Sequence, residues 1–287
     1  MNTIHIVIAV ITLAFLLLFG CSLAEPVDHE ELLHYPEKRG GIPVTVLELK
    51  GFGNFSRDGV TFPSKGTEIA ADYYYPRNAK IGIVWIPAAG KTRRNAEDRG
   101  IAFASRGYAA MIVDVRGLGE TTGQVHSFED DYTVFSKGEE PYNHLVVWDA
   151  LRAIDAMRER GVTCTLIGGE SNGGRIALIA AAVDKTISGS LLISTAGYGK
   201  IDHQLFDVRR FLASINPDEY APSLTNPIAF IHDTKDPTIP FSLGKQTYDK
   251  IAAPKKLYTL SNGCHGYCPT MDDVLTDALT FLAQKCK

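Results

Sequence analysis

The chain has 287 residues, of which 45% are hydrophobic and 22% charged, with 29 basic against 33 acidic side chains and a formal net charge of −4. That is ordinary globular composition at a length that suits one α/β domain. Without a basic block, an internal repeat or a low-complexity tract, the chain lacks the electrostatic footprint of a nucleic-acid binder and the periodicity of a solenoid. Met1 to Ala24 holds no Lys, Arg, Asp or Glu, and the almost wholly apolar run IVIAVITLAFLLLFG within it makes residues 1–24 an export signal. Three endings fit it. Leu18 to Cys21 (LFGC) resembles a lipoprotein signal, with Cys21 as the lipidated residue. Ser22-Leu23-Ala24 satisfies the small-x-small rule for ordinary cleavage. An uncharged run near ~20 residues also suits an uncleaved membrane anchor. Each ending places the domain outside the cytosol, as a membrane-attached lipoprotein or as a periplasmic or secreted protein.

Residues 25–43 are polar and proline-bearing and read as a tether, leaving 44–287 as the domain. Two strand-like runs open it, VTVLEL (Val44–Leu49) and EIAADYYYP (Glu68–Pro76), with turn residues between them. An alternating order follows: strand Ile81–Pro87, helix Asn95–Arg106, strand Ala109–Val115, then helix His144–Gly161 with an Arg-rich stop before glycine. Further strands are expected at Cys164–Gly169, Gly189–Thr195, Pro227–Asp233 and Lys255–Leu260, with helical segments after Ser171, Pro240 and Pro269. Continuous apolar strands alternating with helices imply a mostly parallel sheet covered on both faces, with an antiparallel entry.

Gly169-Glu170-Ser171-Asn172-Gly173 is a G-x-S-x-G run between an apolar strand and a helical pattern, the setting of a nucleophile elbow. Glycines two residues either side let strand and helix approach, and the helix N-terminus favours developing negative charge. A serine needs a base, and the base an orienting carboxylate, in the chain order Ser, acid, His. Of the histidines that follow, His265 sits in a loop after the last strand and is the base. His232 ends a strand and reads as a packed residue, and His203 lies in an irregular insert. Asp236 stands past a strand end and is the orienting acid. Asp233 is the fallback and is better placed to cap the turn.

GESNGG, HDTKDPTIP and GCHG, in that order and on those elements, resemble the α/β-hydrolase superfamily. The resemblance runs from about Val44 to Lys287 and includes DVRGLGETTG, where Asp114 and Arg116 read as structural. It implies the α/β-hydrolase fold with a short lid insert at about 196–226, holding Phe206, Phe211 and Leu212 beside Arg209 and Arg210. It also implies an oxyanion hole built from the backbone N–H groups of Ala89 and Asn172, although Pro87 and Ala88 replace the usual His-Gly. Glu170 either lines the pocket or pairs with an arginine. No cofactor or metal is expected, since neither CxxC nor HExxH occurs.

With Cys21 set aside, Cys164, Cys264, Cys268 and Cys286 allow three pairings in an oxidising compartment. Cys264 and Cys268 flank His265 closely enough to bridge. In this fold the strand start at Cys164 and the helix end at Cys286 share an edge, so they could bridge too. The expected activity is an exported carboxylesterase that acts on small acyl esters through an acyl-enzyme. A serine peptidase acting on amides, or a non-catalytic binding protein on the same fold, are the alternatives. The expected partner is a small molecule, with membrane attachment through a Cys21 lipid or an N-terminal anchor.

Overall fold

Strand Ile81–Ile86 turns Ile83 and Trp85 into one core and Val84 and Ile86 into another, as the two-residue period of a strand requires. The same alternation runs through Ala109–Val113 and Ile228–Asp233, which explains their unbroken apolar sequence. The computed structural model describes residues 32–286, so the export signal, Cys21 and the first residues of the tether lie outside the described residues. Among the described residues no helix is long and apolar enough to cross a membrane.

In chain order the elements are β1 (Thr45–Phe52), β2 (Phe55–Ser64), β3 (Thr67–Pro76), β4 (Ile81–Ile86), α1 (Glu97–Ser105), β5 (Ala109–Val113), α2 (Phe128–Ser136) and α3 (Tyr142–Glu159). Then come β6 (Cys164–Glu170), α4 (Asn172–Val183), β7 (Gly189–Ile193), α5 (Phe206–Ser214), the single turn α6 (Pro217–Tyr220), β8 (Ile228–Asp233), α7 (Phe241–Lys250), β9 (Lys255–Leu260) and α8 (Asp272–Leu282). The strands form one sheet in the order β1-β2-β3-β5-β4-β6-β7-β8-β9. From β5 through β9 neighbours are parallel, whereas β1, β2 and β3 run antiparallel to one another and β3 antiparallel to β5. Helices α3 and α4 bury Leu151, Ile154 and Leu178 in one core. Helices α1 and α8 bury Phe103, Leu275 and Leu279 in the other. The fold is that of an α/β hydrolase.

Two elements differ from the sequence expectation. The stretch taken for turns between the first two strands contains β2, which pairs with β1 on one side and with β3 on the other. Gly59 and Pro63 disguise it, yet Asp58, Val60, Phe62 and Ser64 alternate into the interior. The second is α2, a polar helix that packs Phe128, Tyr132 and Phe135 around the buried Phe211 of α5. The insert at 196–226 is therefore half of a cover whose other half comes from α2.

Leu32 to Pro43, read as tether, carries no helix or strand but is seated on the domain. Arg39, its side chain fully buried, bridges Asp155 at 2.8 Å and Asp184 at 2.7 Å, and the Leu33 N–H donates to Tyr220 Oη. Burying charges without partners is prohibitive, so this three-way pairing is what allows the segment to lie flat.

His144 on α3 is buried, with Nε2 2.8 Å from Ser214 Oγ. Burial pushes its pKa down to about 4, against the pull of the Asp131 and Glu140 carboxylates. An unfolded histidine titrates near ~6.5, so between those values the unfolded chain binds more protons. The stabilisation is complete above the unfolded value and is lost as pH falls toward the folded one. Between pH 7.5 and pH 5 the urea midpoint should therefore drop, with His144 accounting for about 2 kcal/mol. His144→Gln, which can still hydrogen-bond Ser214, should flatten that slope by a similar amount. Equal slopes for the two proteins would refute the assignment.

Candidate active site

Ser171 joins β6 to α4 with φ 55° and ψ −120°, a conformation that a non-glycine residue adopts only where its surroundings enforce it. Its N–H donates to the Ile193 carbonyl at 2.9 Å, and its own carbonyl accepts from Thr195 Oγ1 at 2.8 Å and from Gly174 N–H at 3.1 Å. The glycines answer to contacts rather than to the turn alone. A Cβ on Gly173 would fall on the carbonyl oxygens of Ile86 and Pro87, and one on Gly169 would fall on Gly173. The elbow thus presses the start of α4 against the end of β4, where the loop that carries Ala89 begins.

The loop that carries His265 follows β9, and carboxylates hold it along its length. His265 Nδ1 lies 2.9 Å from both oxygens of Asp236, whose side chain is fully buried while the ring is 21% exposed. Burial pushes the Asp236 carboxyl up, but hydrogen bonds from His265, Ile239 N–H and Thr238 N–H outweigh it and leave its pKa below the ordinary carboxylate range. An ionised carboxylate only accepts, so Nδ1 carries the proton and Nε2 is left as the basic nitrogen. Asp233 does not touch His265. It accepts N–H bonds from Lys235 at 2.8 Å, Asn262 at 2.8 Å and Cys264 at 3.1 Å, and so caps the turn. Glu170 accepts the N–H of Tyr267 at 2.7 Å and is paired with Arg99. Cys264 and Cys268 are joined across the base, with Cα atoms 6.5 Å apart. Cys164 and Cys286 are joined at the sheet edge, with Cα atoms 5.6 Å apart.

Ala89 and Asn172 both line a cavity of about 390 Å³ whose walls include Val115, Leu118, Phe128 and Tyr198. Arg175, His126 and Asn143 add polar groups to it. Arg175 is turned by a 2.8 Å bond from Nε to the Ala196 carbonyl and lies over the Tyr198 ring. Asn143 is held by Asp131, which accepts its Nδ2 at 2.6 Å. No local signal in the sequence marks these wall residues, because they come from five separate segments. A second cavity, of about 420 Å³, is lined by Phe135, Glu139, His144 and Arg210. Ser171, His265 and Asp236 line neither cavity, and the first reaches the elbow through Asn172, the residue after Ser171.

The loop after β5 takes its shape from ion pairs. Asp114 accepts the Arg93 N–H at 2.6 Å and the Glu120 N–H at 3.0 Å, and its carboxylate also meets the Arg93 guanidinium. Arg116 grips Asp149 with two nitrogens, at 3.0 and 2.7 Å. His232 is buried with Nε2 3.0 Å from the Ile239 carbonyl, and His203 Nδ1 accepts the Leu205 N–H. Among the described residues no group of three or more His, Cys, Asp or Glu is placed to hold a metal ion.

The sequence matches the dienelactone hydrolase family over residues 69–276. No curated protein sequence matches it. Among solved structures it is similar to an acetyl xylan esterase from Paenibacillus sp. R4, with 19% identity, a TM-score of 0.70, and 84% of this chain and 87% of that one covered. Acetyl xylan esterase 1 from Thermoanaerobacterium sp. JW/SL YS485 gives 17% identity and a TM-score of 0.67, over 86% and 88% of the two chains. Est1E from Butyrivibrio proteoclasticus, solved with ferulic acid bound, gives 18% identity and a TM-score of 0.60, over 79% and 99%. At these identities the structural likeness speaks for the fold.

Proposed function

The chain belongs to the dienelactone hydrolase family, and from that premise we propose that it is an exported serine carboxylesterase acting on small acyl esters through an acyl-enzyme. The observation that carries this reading is the His265–Asp236 pair at 2.9 Å in a loop tied through Tyr267 to Glu170, the neighbour of the strained Ser171.

In the proposed cycle His265 Nε2 takes the Ser171 hydroxyl proton as Oγ adds to the ester carbonyl carbon. The carbonyl oxygen gains the negative charge and accepts from the N–H groups of Ala89 and Asn172, which would be set for it before the reaction begins. When the tetrahedral species collapses, the carbon–oxygen bond to the alcohol breaks and His265 returns its proton to the departing oxygen. Water, deprotonated by the same nitrogen, then releases the acid and restores Ser171. Asp236 stays ionised throughout and stabilises the imidazolium. A cavity of about 390 Å³ with largely apolar walls favours a compact acyl group. Two disulfides support export, since such bonds persist in oxidising compartments. Cys21 would then be either the lipid anchor or part of the removed signal.

The test is to treat the purified protein with a fluorophosphonate probe, map the adduct by mass spectrometry, and compare p-nitrophenyl esters of graded acyl length with aminoacyl arylamides. The adduct is expected on Ser171, with short esters turned over fastest. Faster turnover of the arylamides would make it a peptidase. A folded protein without an adduct would make it a binding protein on the hydrolase fold.

A further inference from the structure

Glu170 is 4% exposed and receives more than an ion pair. Its Oε2 accepts both Arg99 Nη2 at 2.9 Å and the backbone N–H of Tyr267 at 2.7 Å, while Oε1 accepts Arg99 Nη2 at 3.0 Å. Arg99 comes from α1 and stacks over the Tyr267 ring at 5.1 Å, so it clamps both partners of the bond it neutralises. On the loop side Gly266 has φ +76°, and a Cβ there would stand 2.9 Å from Glu170 Oε2. The residue immediately before the proposed nucleophile is therefore hydrogen-bonded to the second residue after the proposed base, and the glycine between them leaves room for that bond.

We propose that Glu170 is a positioning residue that sets His265 against Ser171, an inference that rests on reading those two as base and nucleophile. From the β8 side Asp236 fixes the His265 ring and Asp233 holds the start of its loop. Neither belongs to the elbow. Glu170 does, because its backbone is registered in β6 opposite Ile193 and its peptide continues into Ser171. Its carboxylate thus transmits the position of the strand end to the base loop. The Arg99 pair holds that carboxylate in one rotamer and satisfies its charge in a site that water barely reaches. Small errors in the placement of reacting groups are expensive, on the order of 100-fold for about 1 Å. The effect should therefore appear in turnover rather than in substrate binding.

The experiment compares the full chain with Glu170→Ala and Glu170→Gln. It measures kcat and KM on p-nitrophenyl acetate, and hydrogen–deuterium exchange of the peptide spanning residues 261–268. Glu170→Ala is expected to lower kcat about 10- to 100-fold with KM within about twofold, and to raise exchange in that peptide while β6 and α8 stay protected. Glu170→Gln, which keeps an acceptor for the Tyr267 N–H, should recover most of the kcat and the protection. If Glu170→Ala does not fold, Arg99→Gln, which removes the guanidinium that holds the Glu170 carboxylate, probes the same contact and should lower kcat in the same way. Unchanged kcat, a loss confined to KM, or a glutamine variant no better than alanine would overturn the inference. A wild type that neither turns over esters nor takes the fluorophosphonate would defeat the esterase reading. Exchange in the variants would then decide by itself whether Glu170 holds the loop.

Discussion

Ser171→Ala should reduce kcat on small esters by roughly 10⁵- to 10⁶-fold and abolish fluorophosphonate labelling, with the melting temperature held or raised. The size follows from the proposed mechanism, since the attacking oxygen itself is removed and the remaining groups can only assist attack by water. A residual rate above the uncatalysed reaction is expected from Ala89 and Asn172 if they still bind the oxyanion. Stability should not fall, because φ 55° at this position is imposed by the packing of Gly169 and Gly173, and the hydroxyl does not cap the helix it precedes. His265→Ala should cost a similar factor, and the double variant little more than either alone, since the two act as one unit. Additive losses would mean that they work in separate steps. Retained turnover in Ser171→Ala would move the chemistry elsewhere.

Asp236→Asn should lower kcat by roughly 10³- to 10⁴-fold in a folded protein, whereas Asp233→Asn should act mainly on stability. The two aspartates stand three residues apart and both have buried side chains, so burial of the carboxylate does not separate them. What separates them is what they hold. Asp236 faces His265 Nδ1 and is kept ionised by Thr238 and Ile239, so it fixes the tautomer that leaves Nε2 basic. An asparagine there can present its NH₂ to Nδ1, which shifts the ring proton to Nε2 and removes the base. Asp233 accepts from backbone groups of Lys235, Asn262 and Cys264, and burial is outweighed by those bonds, leaving its pKa below the ordinary range. Asn at 233 keeps an acceptor and loses a charge, at a cost of about 1–3 kcal/mol in stability. Kinetics and urea melts of the two variants, run side by side, check the division. Equal loss of turnover in both would show that loop position, rather than the tautomer, limits the rate.

How much of this was legible beforehand differs residue by residue. The strand–Ser171–helix unit was legible because its causes are local, namely an apolar run, glycines at fixed offsets and a helical period beginning at once. The parallel strands were legible for a related reason, since burial on both faces leaves a continuous apolar signature in β4, β5 and β8. Asp236 and His265 could be singled out because few acids and histidines follow Ser171 at strand ends, although their 2.9 Å contact joins residues 29 apart. Strand β2 escaped because Gly59 and Pro63 are turn residues by propensity, and its partners on either side overrode that preference.

Helix α2 escaped as well, because FEDDYTVFS is short and polar and its aromatic residues pack on Phe211, which is remote in the chain. Arg39 and Arg99 carried no local mark at all. Each is one guanidinium among many in the chain, and what distinguishes it is a carboxylate 145 or 71 residues away. The sequence by itself determined the class of fold, the bend at Ser171 and the residue types of the chemistry, since short-range sterics and hydrophobic periodicity suffice for those. Tertiary structure alone decided which carboxylates Arg39 and Arg99 meet, which walls make the cavity, and how Glu170 ties the elbow to the loop. Those outcomes depend on distances between segments remote in the chain, and such distances are set only when the sheet and its two cores assemble.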